Sequence, residues 1–292
     1  MDQPVDPLEL VRLRLRRTLR TWVSGSPEPA VRPVDRPDPG LFGPESVTWR
    51  VHADASMFIG GLRSLLIQTL HPLVMAGVAD HSDYRNDPLG RFQRTAGFVG
   101  VTTYGTTAAA EAAVAALSRV HARVTGTAPD GRTYEANDPH LLAWVHATEV
   151  DSFLGAYQRY ANGALDFADA DAYVSEMARL GALLGVEDPP TSRAELAATL
   201  ERFRPELHAG RQARDAVRWL LVPPFPLLGR PAYGVVASAA VSLLPPWARR
   251  MLWLPVAPGV EPLVVRPAAT VLVRLLGWAL APEPTDVTDL SA

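Results

Sequence analysis

The run DPLGRFQRTAGFVGVTTYGTTAAAEAAVAALSRVHARVTG, residues 87–126, decides the fold class. Asp87 is a residue type whose carboxylate accepts from the first free amides of a helix, and Pro88 suits the first turn because its missing N–H is not needed there. No strict apolar/polar alternation follows, so a half-buried strand is excluded. Gly105 and Gly126 instead stand where helices stop. The run predicts helices over 88–104 and 107–125. Working outward, Asp138-Pro139 and Thr191-Ser192 mark two further starts and Gly185 another stop. The resulting helices cover 55–80, 139–166, 169–185 and 192–209. One short extended piece, Gly131-Arg132-Thr133-Tyr134, follows an Asp130-Gly131 turn. There is no series of alternating strands and no internal repeat. The expected fold is all-α, a single multi-helix domain.

Composition narrows the chemistry. The chain has 292 residues, of which 48% are hydrophobic, with a formal net charge of −3. That is enough apolar residue for a folded core and too little positive charge for a nucleic-acid binder. There is no Cys, which removes disulfides, thiolate zinc sites, iron–sulfur clusters and cysteine nucleophiles. There is also no Lys: all 28 basic residues are Arg, so Schiff-base chemistry and a phosphate-loop lysine are excluded. Gly60-Gly61 lacks dinucleotide-binding spacing. GxSxG, HExxH and paired ExxH motifs are absent. Metal or redox chemistry therefore rests on seven His, the carboxylates or a bound cofactor.

Four segments are expected. Residues 1–24 contain an amphipathic helix whose apolar stripe is Leu8, Val11, Leu15, Leu19 and Trp22, with Arg12, Arg14, Arg16, Arg17 and Arg20 mostly off it. Its charge is too high for a secretory signal core. It reads as a helix docked on its own domain or one lying on an anionic membrane surface. Residues 25–46 are a Pro/Gly-rich linker, 47–284 the main helical domain and 285–292 a tail. Within the domain, 219–284 is Pro-rich and apolar. Its best uncharged run, Pro231–Ala248, is interrupted by Pro245-Pro246 and reads as short buried helices. Peripheral membrane contact stays open, and the expected location is cytoplasmic.

Several side chains can carry chemistry. His121 shares a helix face with Val114, Leu117 and Val124, which suits either a core histidine satisfied by one hydrogen bond or a haem-iron ligand under an apolar wall. Arg91, Arg94 and Thr95 share a face at i, i+3 and i+4, continued by Phe98 and Thr102. They read as a surface arginine pair or as donors to carboxylates and to bound oxygen. His146 stands on an aromatic stripe with Phe153, Tyr157 and Tyr160, and Glu149 one turn on offers an acid–base partner. His71 precedes Pro72, which should kink the helix 55–80. His81 with Asp80 and Asp83 reads as turn and capping chemistry. His52, His140 and His208 look exposed or peripheral.

Three stretches together resemble the catalytic domain shared by the rubber oxygenases (latex-clearing proteins) and the mpaB-type oxygenases: LIQTLHPLVMAGVADHSDYRNDPLGRFQRT, RVHARVTGTAPDGRTYEANDPHLLAWVHATEV and SLLPPWARR. The resemblance covers roughly residues 47–255. It implies an all-helical fold enclosing a haem b pocket with one axial histidine, and the use of O2. The family's Arg-x-x-x-Thr motif matches Arg91 and Thr95, the axial histidine matches His121, and His146 is the alternative ligand. His71 joins the cofactor-binding set. Rubber-cleaving members carry a lysine just before that threonine, where this chain has Arg94, so rubber is not the expected substrate. The expectation is a haem-dependent oxygenase acting on an apolar, isoprenoid or lipid-like small molecule, with cleavage of a C=C bond as one outcome. The alternatives are a non-catalytic haem or lipid carrier and a membrane-peripheral structural protein.

Overall fold

A computed structural model of the chain describes residues 7–26, 38–223, 229–254 and 259–281. Half of the expected linker (27–37) and the tail (285–292) lie outside them. Among the described residues the helices are α1 (Pro7–Ser24), α2 (Val47–His52), α3 (Met57–Gln68), α4 (Pro72–His81), α5 (Pro88–Tyr104), α6 (Thr107–His121), α7 (Pro139–Tyr160), α8 (Phe167–Leu184), α9 (Arg193–Arg202), α10 (Arg211–Leu221), α11 (Arg230–Leu243), α12 (Pro246–Met251) and α13 (Arg266–Leu280). Two three-residue strands, β1 (Thr125–Thr127) and β2 (Thr133–Glu135), form an antiparallel hairpin. The fold is all-α, as the sequence predicts.

The helix starts follow their capping chemistry. Asp87 accepts from the Gly90 amide at 2.9 Å, Asp138 from His140 at 2.9 Å and Ser192 from Glu195 at 3.2 Å. Gly185, at φ +95°, closes α8 by turning two amides back onto the carbonyls of Ala182 and Gly181. The hairpin replaces the end of the expected helix 107–125, which stops at His121. Gly131 at φ +87° makes the turn, and buried Tyr134 anchors β2. The expected helix 55–80 is two helices meeting at 106°. Pro72 forces His71 into an extended conformation (φ −86°, ψ 114°) and starts a new helix instead of kinking the old one.

The core centres on α7, which packs along α3 and also meets α8, α9 and α11. Trp144 and Tyr160 of α7, Ile59, Leu66 and Ile67 of α3, and Tyr173 and Met177 of α8 are fully buried. Gly60 has a packing role. A Cβ there would stand 3.0 Å from the Ser152 carbonyl oxygen and 3.1 Å from the Phe153 Cα, so only glycine admits α3 this close to α7. Buried Arg63 ties three helices by donating to Ser152 Oγ (2.7 Å), Asp151 (2.7 Å) and the Leu243 carbonyl (3.0 Å). The run Pro231–Ala248 packs inward as α11 and the start of α12, with Ala237, Ala239, Ala240, Leu244 and Ala248 buried.

The first helix buries only the C-terminal part of its apolar stripe, where Leu19 is half-buried and Trp22 packs on Phe92 at 4.9 Å between ring centroids. Leu8, Val11 and Leu15 are exposed, while Arg16 is only 4% accessible. Arg12 donates to the carbonyls of Trp278 (3.1 Å) and Ala281 (2.9 Å), and Arg16 to those of Ala279 (3.1 Å) and Ala281. The physical reason is the C-terminus of α13. Its last carbonyls have no partners within the helix and carry the negative end of its dipole, so two guanidinium groups are the better neighbours for them.

Candidate functional site

Of the motif residues of α5, Arg91 reaches the end of α4. Arg91 is half-buried and donates to Ser82, the residue after α4. His81, the last residue of α4, makes a 3.1 Å hydrogen bond with the Thr125 carbonyl. These two adjacent contacts hold the start of α5 and the segment just past α6 against the same turn. Gly105 and Thr106 fold α6 back on α5, and the two helices pack. Arg91 and His121 are therefore carried to the same end of the α5–α6 pair, although 30 positions separate them in sequence.

His121 is half-buried. Burial holds its imidazole below the usual histidine range, so it is neutral at physiological pH and has a lone pair to offer. Arg94 and Thr95 face outward. Arg94 pairs with Asp87 at 3.1 Å, and the Thr95 hydroxyl donates to the Arg91 carbonyl at 3.1 Å. Between them and Thr102, α5 shows half-buried Phe98 and two glycines, Gly97 and Gly100, whose missing side chains would point into open space.

His146 sits elsewhere. It is buried against α8, and its Nε2 makes no hydrogen bond. A Cβ on Gly181 would fall 2.8 Å from that nitrogen, so the ring edge abuts the α8 backbone. Burial pushes the imidazole down to about 4 and the Glu149 carboxyl up to about 7. Both groups are thereby held largely neutral near pH 6.

His52 corrects its expected peripheral placement. Its Nδ1 lies 2.7 Å from Thr103 Oγ1 and its Nε2 3.1 Å from the Tyr173 hydroxyl, with the ring edge-on to Phe153. Burial pushes it down to about 3. No sequence signal marks this network, because its partners are 51 and 121 positions away. His140 is exposed as expected but bonded to Glu206, and His208 is exposed. Buried His71 also reaches Glu206. It lies at the opposite end of α4 from His81, roughly 15 Å away at 1.5 Å per residue. Asp80 accepts from the Tyr134 hydroxyl at 2.7 Å, fixing the hairpin to α4. Two open clefts of about 340 and 350 Å³ occur at Arg159–Glu261 and beside β2. Neither is lined by these histidines or by Arg91, Arg94 and Thr95.

Residues 49–279 match the family described as ER-bound oxygenase mpaB/B′/rubber oxygenase, catalytic domain. That covers most of the chain, and the chain belongs to this family of oxygenase catalytic domains. Over 115 residues it is 30% identical to uncharacterized protein Rv2237 of Mycobacterium tuberculosis and to uncharacterized protein Mb2261 of Mycobacterium bovis. The aligned part is 39% of this chain, and the chain spans 45% of the length of each relative. No solved structure gives a significant match.

Proposed function

We propose that this protein is a haem b-dependent oxygenase that uses O2 on an apolar, isoprenoid or lipid-like substrate, with C=C cleavage as one outcome. The observation that carries the reading is the convergence at the end of α4, where Ser82 and His81 draw Arg91 and the segment following His121 together. The residues fit the cofactor. His121 is a half-buried imidazole held neutral by burial, and a Cβ on Gly97 or Gly100 of α5 would meet open space. His146 fits less well because its Nε2 abuts α8. Haem, when bound, supplies the redox-active iron needed for O2 chemistry.

The chain's own residues divide the remaining work. His121 is the proposed axial ligand. Arg91 is held by Ser82 and cannot lose its proton at physiological pH, so it is suited to a propionate carboxylate. Arg94 and Thr95 are proposed as hydrogen-bond donors to O2. Arg94 would exchange its exposed pairing with Asp87 for that contact, and Thr95 its bond to the Arg91 carbonyl. Arg94 differs from an amine in that it can orient a ligand but not coordinate iron. Phe98 adds apolar surface for the substrate.

The purified protein is expected to show a Soret band, and to take up added haem where it is purified without it. His121→Ala should lose the band while keeping the helical circular dichroism, whereas His146→Ala should retain it. A protein that binds no haem, or a His121→Ala variant with an unchanged spectrum, would overturn the assignment.

A membrane surface is the proposed setting, on the cytoplasmic side. Leu8, Val11 and Leu15 of α1 are exposed, as are Leu263, Val271 and Leu275 in and before α13. The helical run Glu261–Leu280 is long and apolar enough to cross a membrane and is mostly exposed. Exposed Arg14, Arg17, Arg266 and Arg274 accompany this apolar surface, the charge arrangement that an anionic lipid surface attracts.

A further inference from the structure

Three side chains from separate parts of the chain meet at the end of α4 remote from Arg91. His71 occupies the break between α3 and α4, His140 the first turn of α7, and Glu206 the 3₁₀ turn Arg204–Glu206 that follows α9. The His140 Nε2 lies 2.9 and 3.0 Å from the two Glu206 carboxylate oxygens, and the His71 Nε2 lies 3.4 Å from one of them. One donor atom from each residue falls within 4.8 Å of the other two. We propose that His71, His140 and Glu206 bind a first-row divalent metal ion of the zinc class.

The donor set is the main argument. Two imidazole nitrogens and one carboxylate oxygen are the ligands such ions take, and chelation by three side chains leaves a coordination position open to water. Donors around a tetrahedral ion with bonds of about 2.1 Å stand roughly 3.4 Å apart. Both histidine–carboxylate separations are within reach of that value, and only the two imidazoles must close on each other. His140 can supply this movement, because its side chain is 53% accessible and is held on one side only, by Glu206 and by Phe203 at 4.6 Å between ring centroids.

His71 is the fixed member of the set. It is fully buried, packed beside Trp144 and Phe203, and the hydrogen bond of its side chain is the long contact with Glu206. An ion at Nε2 would replace that weak interaction with a coordinate bond. The nearby cation Arg132 is paired with Asp130 at 2.7 Å, which offsets its repulsion.

The ion would act as a staple in a chain without cysteine. It would join segments 69 and 66 positions apart, at the point where α3 and α4 part at 106°. The site is distinct from the proposed haem pocket, with α4 spanning the distance between them.

The test uses the full chain after dialysis against a chelator. Zn2+ is added, unbound metal is removed by gel filtration, and zinc content and Tm are measured. The expected result is one zinc per chain and a Tm raised by several degrees. His140→Ala and Glu206→Gln should each lose both effects, while His208→Ala keeps them. Because His140 is exposed, its variant should melt within a few degrees of the parent without metal, which separates lost binding from lost folding. Zinc content is counted apart from haem iron, so the result stands whether or not haem binds. No zinc uptake by the parent chain, or the same uptake by His140→Ala, would overturn the proposal and leave a hydrogen-bonded His–Glu–His clamp.

Discussion

Three buried titratable side chains give opposing pH responses. His52 and His146 are pushed down to about 3 and about 4, so as pH falls below 6.5 the unfolded chain takes up protons that the fold excludes. Each therefore costs stability on acidification. Glu149, pushed up to about 7, works in the other direction. Between about 4.5 and 7 the fold keeps a proton that the unfolded chain releases, so stability falls as pH rises through that window and stays lower above it. The whole shift corresponds to roughly 3 kcal/mol at 1.36 kcal/mol per pH unit. Glu149→Gln removes this cost without changing the shape of the side chain. It should melt several degrees above the parent chain at pH 8 and level with it at pH 4.5. An equal difference at both pH values would mean that burial does not hold Glu149 protonated. The aromatic stripe of α7 was visible in the sequence as 3.6-residue periodicity, and so was the adjacency of His146 and Glu149. The contact between His146 and Gly181 was not, because it depends on how closely α8 approaches.

Among the elements, α1 is the sharpest departure from periodicity. An amphipathic helix is expected to bury its apolar stripe, yet this one turns Arg12 and Arg16 inward. Hydrophobic periodicity registers the area a helix can hide. It does not register the unpaired carbonyls at the end of α13, which lies more than 250 positions away. Arg16→Ala removes donors from the Ala279 and Ala281 carbonyls in a buried place. A loss of about 1–3 kcal/mol is expected, with faster proteolytic release of the first helix. Unchanged cleavage kinetics would show that α1 is held by other contacts. The elements whose boundaries were well marked, α5 and the starts of α7 and α9, are those with local capping residues. The split between α3 and α4 was signalled by Pro72, but its 106° angle is set by what each helix packs against.

Over the whole molecule, the inward arginines leave an apolar surface on the outside. An exposed surface of this kind, accompanied by arginines, is unusual for a protein that is always surrounded by water. On the proposed membrane reading, the chain should float with vesicles containing an anionic phospholipid and stay behind with neutral ones. Val11→Glu combined with Leu275→Glu should abolish flotation while leaving the melting curve and the Soret band as they were, since both positions are exposed. Flotation that survives both charges, or that ignores lipid charge, would count against this face. An apolar substrate partitioned into such a membrane would be presented to the enzyme at that surface.

The sequence by itself determined the helical class, most helix starts, the exclusion of thiolate and lysine chemistry, and the family, because capping, periodicity and residue type are written locally. It also named Arg91, Arg94, Thr95 and His121, though not where they stand relative to one another. Tertiary structure alone decided that the start of α5 and the strand following α6 are held at Ser82 and His81. It likewise decided that His52 lies in a buried network, that His71 shares Glu206 with His140, and that α1 presents Leu8, Val11 and Leu15 outward. Each of these depends on groups far apart in the chain whose hydrogen bonds and close contacts exist only once the helices have packed. A linear reading can show which side chains want partners, but packing decides which partners they find.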